Sequence, residues 1–324
     1  MSWPRRRLLQ ALALATAGMG WREGRTATVS PGWTDRGLEP PPPLRPGDQL
    51  AAVAPGTWVT ADDLSPNDGW PAHYARWGWR LDTPPGTLDR WHYFAGRDDD
   101  RARLLQRLWA DRRYAGLVCV GGGWGAQRVL EAGLQLPATP RWLVGFSDNC
   151  ALQLAQLTAG GGGGIHGWRG ERVRQLLNGE PVAALQGQGW GSGRARGALV
   201  VTNLTVATHL IGTPWLPDLQ GAILVLEDTG EAPYRVDRLL THWRTAGLLQ
   251  RLAGLGLGRF DWTSDGDVLP GDLSMEEVLR NRCADLGIPV VGRLPVGHGR
   301  PNEALPQGRR AELDGSAGSL TLLS

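Results

Sequence analysis

The chain of 324 residues contains no lysine, and all 34 of its basic side chains are arginines. Schiff-base chemistry, a Ser–Lys dyad and a P-loop of the ordinary kind each need a lysine, so all three are excluded. Cysteine is scarce, with only Cys119, Cys150 and Cys283 at wide spacing. That pattern gives neither a disulfide framework nor a zinc site. Cys119 and Cys150 lie in apolar stretches and read as small core residues. The six histidines make no HExxH or other close pairing, so no metal and no cofactor is expected. A net charge of only +2 leaves no basic surface for nucleic acid. No apolar run reaches the about 20 residues of a membrane-spanning helix, so stable membrane insertion is not expected. What remains is a globular composition, 41% hydrophobic and 20% charged, long enough for one large or two modest domains.

The N-terminus has a character of its own. Pro4 to Leu9 reads Pro-Arg-Arg-Arg-Leu-Leu, an Ala/Leu-rich run follows to Ala17, and Ala15-Thr16-Ala17 offers a small-residue cleavage site. A charged segment, a short apolar segment and such a site form an export signal, and the arginine pair resembles the twin-arginine kind. The expectation is export to the periplasm. Residues 18–45, proline-rich with Pro40–Pro43, read as a linker or surface segment.

From Pro46 onward, apolar strands alternate with helices. Leu50–Ala54 reads as a buried strand stopped by Pro55-Gly56, and Trp77–Leu81 as another. Asp98–Asp111 is a helix with Leu104, Leu105 and Leu108 on one face and three aspartates at its positive end. Tyr114–Val120 is an apolar strand, Ala126–Glu131 a helix and Leu143–Phe146 the next strand. This alternation predicts a doubly wound, Rossmann-like parallel α/β sheet over 46–170. The five-glycine run Gly160–Gly164 predicts a flexible turn, with His166 just beyond as a structural or substrate-contact residue. Residues 171–193 read as a linker, and 194–324 as a smaller β-rich domain. Its strands are Ala198–Val201, Ala222–Leu226 and Pro289–Leu294. One helix carries Val236, Leu239, Leu240 and Trp243, and Ser274 with Glu277 opens another as a capping box.

Four places carry chemistry. Gly145-Phe146-Ser147-Asp148 joins a strand to a helix, which exposes the Ser147 hydroxyl beside free N–H groups at a helix N-terminus. Taken alone, this turn is better explained by a helix cap than by a nucleophile. The turn Gly121–Gly125 has three readings: a phosphate cradle, a tight turn, or bare backbone brought close to a ligand. Its glycines lack the usual dinucleotide spacing, and no acidic residue follows a second strand. It and Ser147 both lie at the carboxyl ends of consecutive strands, where open sheets bind ligands. Glu227 closes the buried run Ile223–Leu226, and His298 sits between Gly297 and Gly299 just past a strand. Each of these two residues, alone, reads as a surface residue before it reads as a catalyst.

Together, these pieces resemble the L,D-carboxypeptidase family of serine peptidases, which includes muropeptide L,D-carboxypeptidases and microcin C immunity peptidases. Gly145-Phe146-Ser147-Asp148, Leu226-Glu227-Asp228 and Gly297-His298-Gly299 are similar to its three signatures. Pro46-Gly47-Asp48, Phe94-Ala95-Gly96 with Arg101, Gly122-Gly123-Trp124-Gly125, Asn203-Leu204, Gly212-Thr213-Pro214, Asp237-Arg238 and Leu305-Pro306-Gln307-Gly308 fit its order, over about Leu44 to Leu323. The resemblance implies a catalytic triad of Ser147, Glu227 and His298, with the serine from the first domain and the other two from the second. It implies an oxyanion hole from the N–H of Asp148 with Gly122 or Gly123. It implies a muropeptide as substrate, with release of D-alanine from a tetrapeptide, and a homodimer. The family's alternative activity is a self-immunity amidase acting on a peptide–nucleotide toxin, and a silent muropeptide-binding homologue is a third possibility. Three residues depart from the pattern: Gly121 for an arginine, Trp124 for a tyrosine and Gly56 for a serine. These departures bear on the substrate pocket, where Trp124 and His166 are the expected contacts.

Overall fold

A computed structural model describes residues 32–262 and 271–323 of the chain. The segment read as an export signal and the first part of the expected linker lie outside the described residues. The rest of that linker, 32–45, is no free tether. It opens with helix α1 (Trp33–Arg36), whose Trp33 is buried with its indole N–H donating to Asp218 O at 3.0 Å. Thr34 donates to Gln220 O, Leu38 N to Gly308 O and Leu44 N to Leu177 O. The prolines lay the segment across the body of the protein instead of holding it away.

The first sheet has five parallel strands: β1 (Gln49–Val53), β2 (Arg80–Asp82), β3 (Tyr114–Cys119), β4 (Trp142–Gly145) and β5 (Gly164–His166). Helices α2 (Trp70–Ala75), α3 (Asp98–Ala110), α4 (Ala126–Glu131) and α5 (Cys150–Thr158) connect them. The spatial order is β2-β1-β3-β4-β5, so the winding reverses between β1 and β3. An open sheet binds ligands at such a reversal, beyond the carboxyl ends of the strands. The apolar runs seen in the sequence are buried on both faces. Leu50, Val118, Val144 and Ile165 pack under Trp70, Tyr74 and Trp79, while Val53, Leu117 and Leu143 pack under Leu105, Trp109, Val129 and Leu154.

After α6 (Glu171–Leu177) and the short strands β6 (Leu185–Gln186) and β7 (Gln188–Gly189) comes the second sheet. Its centre is four parallel strands, β8 (Arg194–Asn203), β9 (Ile223–Thr229), β10 (Gly254–Asp261) and β11 (Val290–Gly292). Helices α7 (Leu204–Thr208), α8 (Pro233–Thr245) and α9 (Met275–Cys283) connect them. Ser274 and Glu277 form the expected capping box at the start of α9. Strand β12 (Leu305–Pro306) crosses back and pairs antiparallel with β5 of the first sheet. Strands β13 (Arg310–Asp314) and β14 (Ser319–Leu322) then return to the second.

Three expectations change here. Residues 171–193 are not a linker: Val173 and Leu177 are fully buried, Arg172 donates to Ala304 O and Ala183 O, and β6 and β7 are edges of the second sheet. Strand β10 was not foreseen, because Gly254, Gly256 and Gly258 dilute its apolar run. Those glycines give neighbours room to pack: a Cβ at Gly256 would lie 2.8 Å from Leu294 Cδ1 and 3.0 Å from Val225 Cγ2. The Gly160–Gly164 run is only in part a turn, since Gly161–Gly164 are buried. A Cβ at Gly162 would sit 2.1 Å from Glu39 O, and one at Gly163, where φ is +107°, 2.4 Å from Arg141 O. Close main-chain packing, not mobility, demands glycine there.

Helix α5 joins the two sheets. Every residue from Cys150 to Leu157 is buried, its apolar faces in the shared core and its Gln153 and Gln156 donating to main-chain carbonyls. One contiguous core runs from β1, β3 and β4 through α5 to β8, β9 and β10. Gln307 fastens the same seam: its Oε1 accepts from Val201 N at 2.9 Å and its Nε2 donates to Gln153 Oε1 at 3.1 Å. Replacing Gly163 by alanine should destabilise the protein by on the order of 3 kcal/mol, from overpacking plus the left-handed backbone. Urea denaturation should show this as a lower midpoint with an unchanged slope. An unchanged midpoint would refute the packing account.

Candidate active site

At the carboxyl end of β4 the chain turns sharply, and Ser147 adopts φ = 60°, a region that residues other than glycine seldom occupy. Hydrogen bonds hold the turn open. Asn149 Nδ2 donates to Gly121 O at 2.6 Å and to Phe146 O at 2.9 Å. Asp148 Oδ2 accepts from Ala126 N at 2.8 Å, so this carboxyl caps α4 rather than its own helix. No side chain caps the helical turn at Ser147–Asn149 or the start of α5. The cap reading of Ser147 is therefore set aside: its hydroxyl turns toward His298 instead.

His298 Nε2 is 3.2 Å from Ser147 Oγ, and His298 Nδ1 is 2.7 Å from Glu227 Oε2. The backbone N–H of His298 donates to the same oxygen at 3.3 Å. With Nδ1–H donating to the carboxylate, Nε2 is left to accept the serine proton. Glu227 is the last inward-facing residue of β9, fully buried and in register with Asn203. Its neighbour Asp228 points to the other face, as alternation along a strand requires. There it accepts from Asn203 Nδ2, Thr205 N and Thr205 Oγ1, tying the start of α7 to β9. Burial pushes the Glu227 carboxyl above its ordinary range, and the bond and charge of His298 oppose that shift. Two glycines bring the His298 loop close. A Cβ at Gly297, where φ is +118°, would lie 2.8 Å from Glu227 Cβ, and one at Gly258 would lie 2.4 Å from Val296 O.

The Gly121–Gly125 turn, at the end of β3, forms the facing wall. A Cβ at Gly122 would lie 3.4 Å from Ser147 Cβ and 3.5 Å from the Trp168 ring. Among the described residues, the N–H groups of Gly122 and Asp148 donate to no protein acceptor. Both are thus available to an oxygen beside Ser147. Gly123 packs on Thr57, whose Oγ1 would be 2.0 Å from a Cβ there. The Gly122 carbonyl is held by Thr57 N at 3.0 Å. Arg101, stacked on Phe94, donates to Pro55 O and to Gly125 O, locking the turns after β1 and β3 together. Gly56 has no room for a side chain, since a Cβ would lie 2.5 Å from Gly122 O and 2.7 Å from Asp148 Oδ2.

Of the two expected substrate contacts, Trp124 is 45% exposed at the rim of this turn. His166 is not a contact: it lies on β5 with no exposed surface, against the Phe146 ring at 4.8 Å. The flexible glycine turn expected just before it suggested openness, but β4 and β12 pair on either side of its strand. Trp168, which packs on Phe146 and faces Gly122, and Thr57, which supports the glycine turn, were missed. One tryptophan among 16 and one threonine in a loop give no signal of their own.

Two unlike sheets sharing one core, with a hydroxyl, an imidazole and a carboxylate meeting at their seam, define a hydrolase-type architecture in which a serine can be activated. The chain belongs to the LD-carboxypeptidase family: residues 51–167 match its N-terminal domain and 196–313 its C-terminal domain. It is 43% identical over 298 residues to a Synechocystis relative that carries a carboxypeptidase name, covering 87% of this chain and 97% of the relative. It is 30% identical to the murein tetrapeptide carboxypeptidase of Pseudomonas aeruginosa, covering 70% of this chain and 81% of that one. Among solved structures, it resembles the muramoyltetrapeptide carboxypeptidase of Oxalobacter formigenes with a TM-score of 0.72 and 29% identity, over 84% of this chain and 98% of that chain. It shares its fold with a microcin C7 self-immunity protein, with a TM-score of 0.77 at 18% identity, over 88% of this chain and 98% of that one. The doubly wound first domain and β-rich second domain expected from the sequence are those of the family.

One consequence can be measured away from catalysis. Burial raises the Asp148 carboxyl to about 6, against the opposing pull of the Ala126 and Gly125 N–H groups. A raised folded-state value means that the protonated form is favoured on folding. Its stabilisation is complete below about pH 4 and is lost as pH rises through about 6. Asp148→Asn, which keeps the acceptor for Ala126 N, should therefore match the parent in acid. It should be more stable by about 1–3 kcal/mol at neutral pH. Thermal melts from pH 4 to 8 would show the two curves separating, and parallel curves would sink the assignment.

Proposed function

We propose that the protein is a serine carboxypeptidase that hydrolyses the amide between an L-centre and a terminal D-amino acid of peptidoglycan-derived peptides, releasing D-alanine from tetrapeptides. The observation that carries the reading is the continuous path from Ser147 Oγ through the His298 imidazole to the buried Glu227 carboxylate, 3.2 and 2.7 Å long. The murein-peptide names of relatives and of a structural neighbour support the substrate class.

The chemistry follows from these positions. His298 Nε2 takes the proton of Ser147 Oγ as the oxygen attacks the amide carbonyl carbon. The oxyanion that forms is held by the N–H groups of Asp148 and Gly122, donors aimed before the charge appears. Collapse breaks the C–N bond, and the imidazolium returns its proton to the leaving amine of the D-amino acid. Water, deprotonated by the same imidazole, then cleaves the acyl-serine. Glu227 stays ionised throughout, fixing the tautomer and stabilising the imidazolium. Trp124 on the glycine turn and Trp168, packed on Phe146 beside Ser147, supply apolar walls for the peptide.

Ser147→Ala should lower D-alanine release from a defined muropeptide tetrapeptide by at least roughly 10³-fold with an unchanged thermal melt. A serine-directed phosphonate should label the parent at Ser147 and leave the variant unlabelled. Full activity in the variant would overturn the mechanism. A panel that adds acyl-sulfamoyl nucleotides, read by mass spectrometry, separates this reading from the self-immunity alternative. No turnover of any substrate, with labelling absent, would favour a silent binder.

A further inference from the structure

Resting on that reading of the triad, we infer that His166 is a positioning residue. Neutral and protonated on Nε2, it is the second hydrogen-bond donor to Glu227, acting from the side that His298 does not reach. The inference starts from two atoms without partners. Both donors of His298 converge on Glu227 Oε2, so Glu227 Oε1 is buried with nothing donating to it. His166 Nε2 is equally buried and equally unpartnered. Among the described residues only eight buried side-chain polar atoms share that condition, and these two face each other at 3.9 Å. A buried carboxylate oxygen without a donor is costly. A separation of 3.9 Å exceeds a direct bond, and either a shift of about 1 Å or one shared water closes it.

The ring's other nitrogen decides which way the proton lies. His166 Nδ1 is 3.3 Å from Cys150 Sγ, and that sulfur already accepts the N–H of Asn203 at 3.5 Å. With the Asn203 N–H and the Thr202 hydroxyl both on the sulfur, the thiol proton is assigned to Nδ1 and the imidazole proton to Nε2, toward Glu227. Burial raises the Cys150 thiol well above its ordinary value, so the S–H donor persists. Burial, reinforced by the nearby His298, holds His166 down at about 3, so the ring stays neutral. The ionisable groups around the pair are His298 in front, Cys150 behind, and Asp228 next in sequence to Glu227 but engaged with Asn203 and Thr205 on the opposite face of β9. The ring is also held in place, with β4 and β12 on its two sides and Phe146 against its face. Cys150 thus has a role beyond filling space: it sets the tautomer of a histidine that steadies the catalytic carboxylate.

The test has two arms. In the parent protein labelled with ¹⁵N-histidine, His166 should show the Nε2–H tautomer and should not titrate between about pH 5 and 9. An Nδ1–H tautomer would overturn the inference, whatever the variants do. In the second arm, His166→Leu should lower kcat roughly 10–100-fold with KM within about twofold. It should also move the acid limb of kcat/KM to higher pH, because Glu227 without its second donor holds a proton more readily. His166→Gln, which can present an N–H at the same place, should restore most of kcat and return the limb. A loss of kcat with the limb unmoved would make His166 a packing residue only, and an unchanged kcat would remove it from the mechanism. Ser147→Ala run in the same assay keeps the two claims apart. If it stays active, the triad reading itself fails. If it is dead while His166→Leu is fully active, only the present inference does.

Discussion

A carboxylate with no exposure to solvent is expensive, and the region around Glu227 is organised to offset that cost. The carboxyl projects from the end of β9 into the seam between the two sheets. Two donors of one histidine converge on one of its oxygens, and a second histidine stands behind the other. For His298 to come that near, the chain carrying it must pass where any side chain at Gly297 or Gly258 would collide. For β9 to end in two adjacent acids, the second must face away and be neutralised by local donors, as Asp228 is by Asn203 and Thr205. Motifs that look unrelated along the chain thus answer one electrostatic demand.

The site was legible where polar residues interrupt apolar order. Ser147, Glu227 and His298 each directly follow or closely trail a buried strand, and a polar group at such a place has to be explained. Their order along the chain, together with the likeness to a peptidase family, brought them together before any geometry did. What stayed hidden had no such contrast. His166 follows a run of glycines, which in sequence signals looseness, whereas in space those glycines admit the backbone of Glu39 and Arg141. Strand β10 alternates glycine with leucine and so lacks the β-branched run that marks its neighbours. The 171–193 stretch reads as polar because charged and amide side chains separate its short apolar groups, whereas in space Arg172 donates to two carbonyls and Arg174 pairs with Glu171 and Glu180.

The two-domain description is sound for topology and less so for energetics. Helix α5, which begins three residues after Ser147, is buried on every side because it packs on both sheets. Gln307 and Gln153 continue that attachment with hydrogen bonds across the seam. The nucleophile on one sheet and its base on the other are therefore spaced by packed core, which is far stiffer than a linker of 20 or so residues would be. A side-chain contact of 3.2 Å between domains can persist only on such a foundation.

The return of β12 to the first sheet has a consequence for the growing chain. His298 lies on the stretch that leaves the second sheet at Gly292 and reaches the first at Leu305. During synthesis, the first five strands can assemble early, yet the β5 edge is without its partner until Pro306 has emerged. The same late arrival delivers the base to the nucleophile. Closing that edge and bringing His298 to Ser147 thus depend on one stretch of chain, Gly292 to Leu305, so the two are linked in the folded molecule.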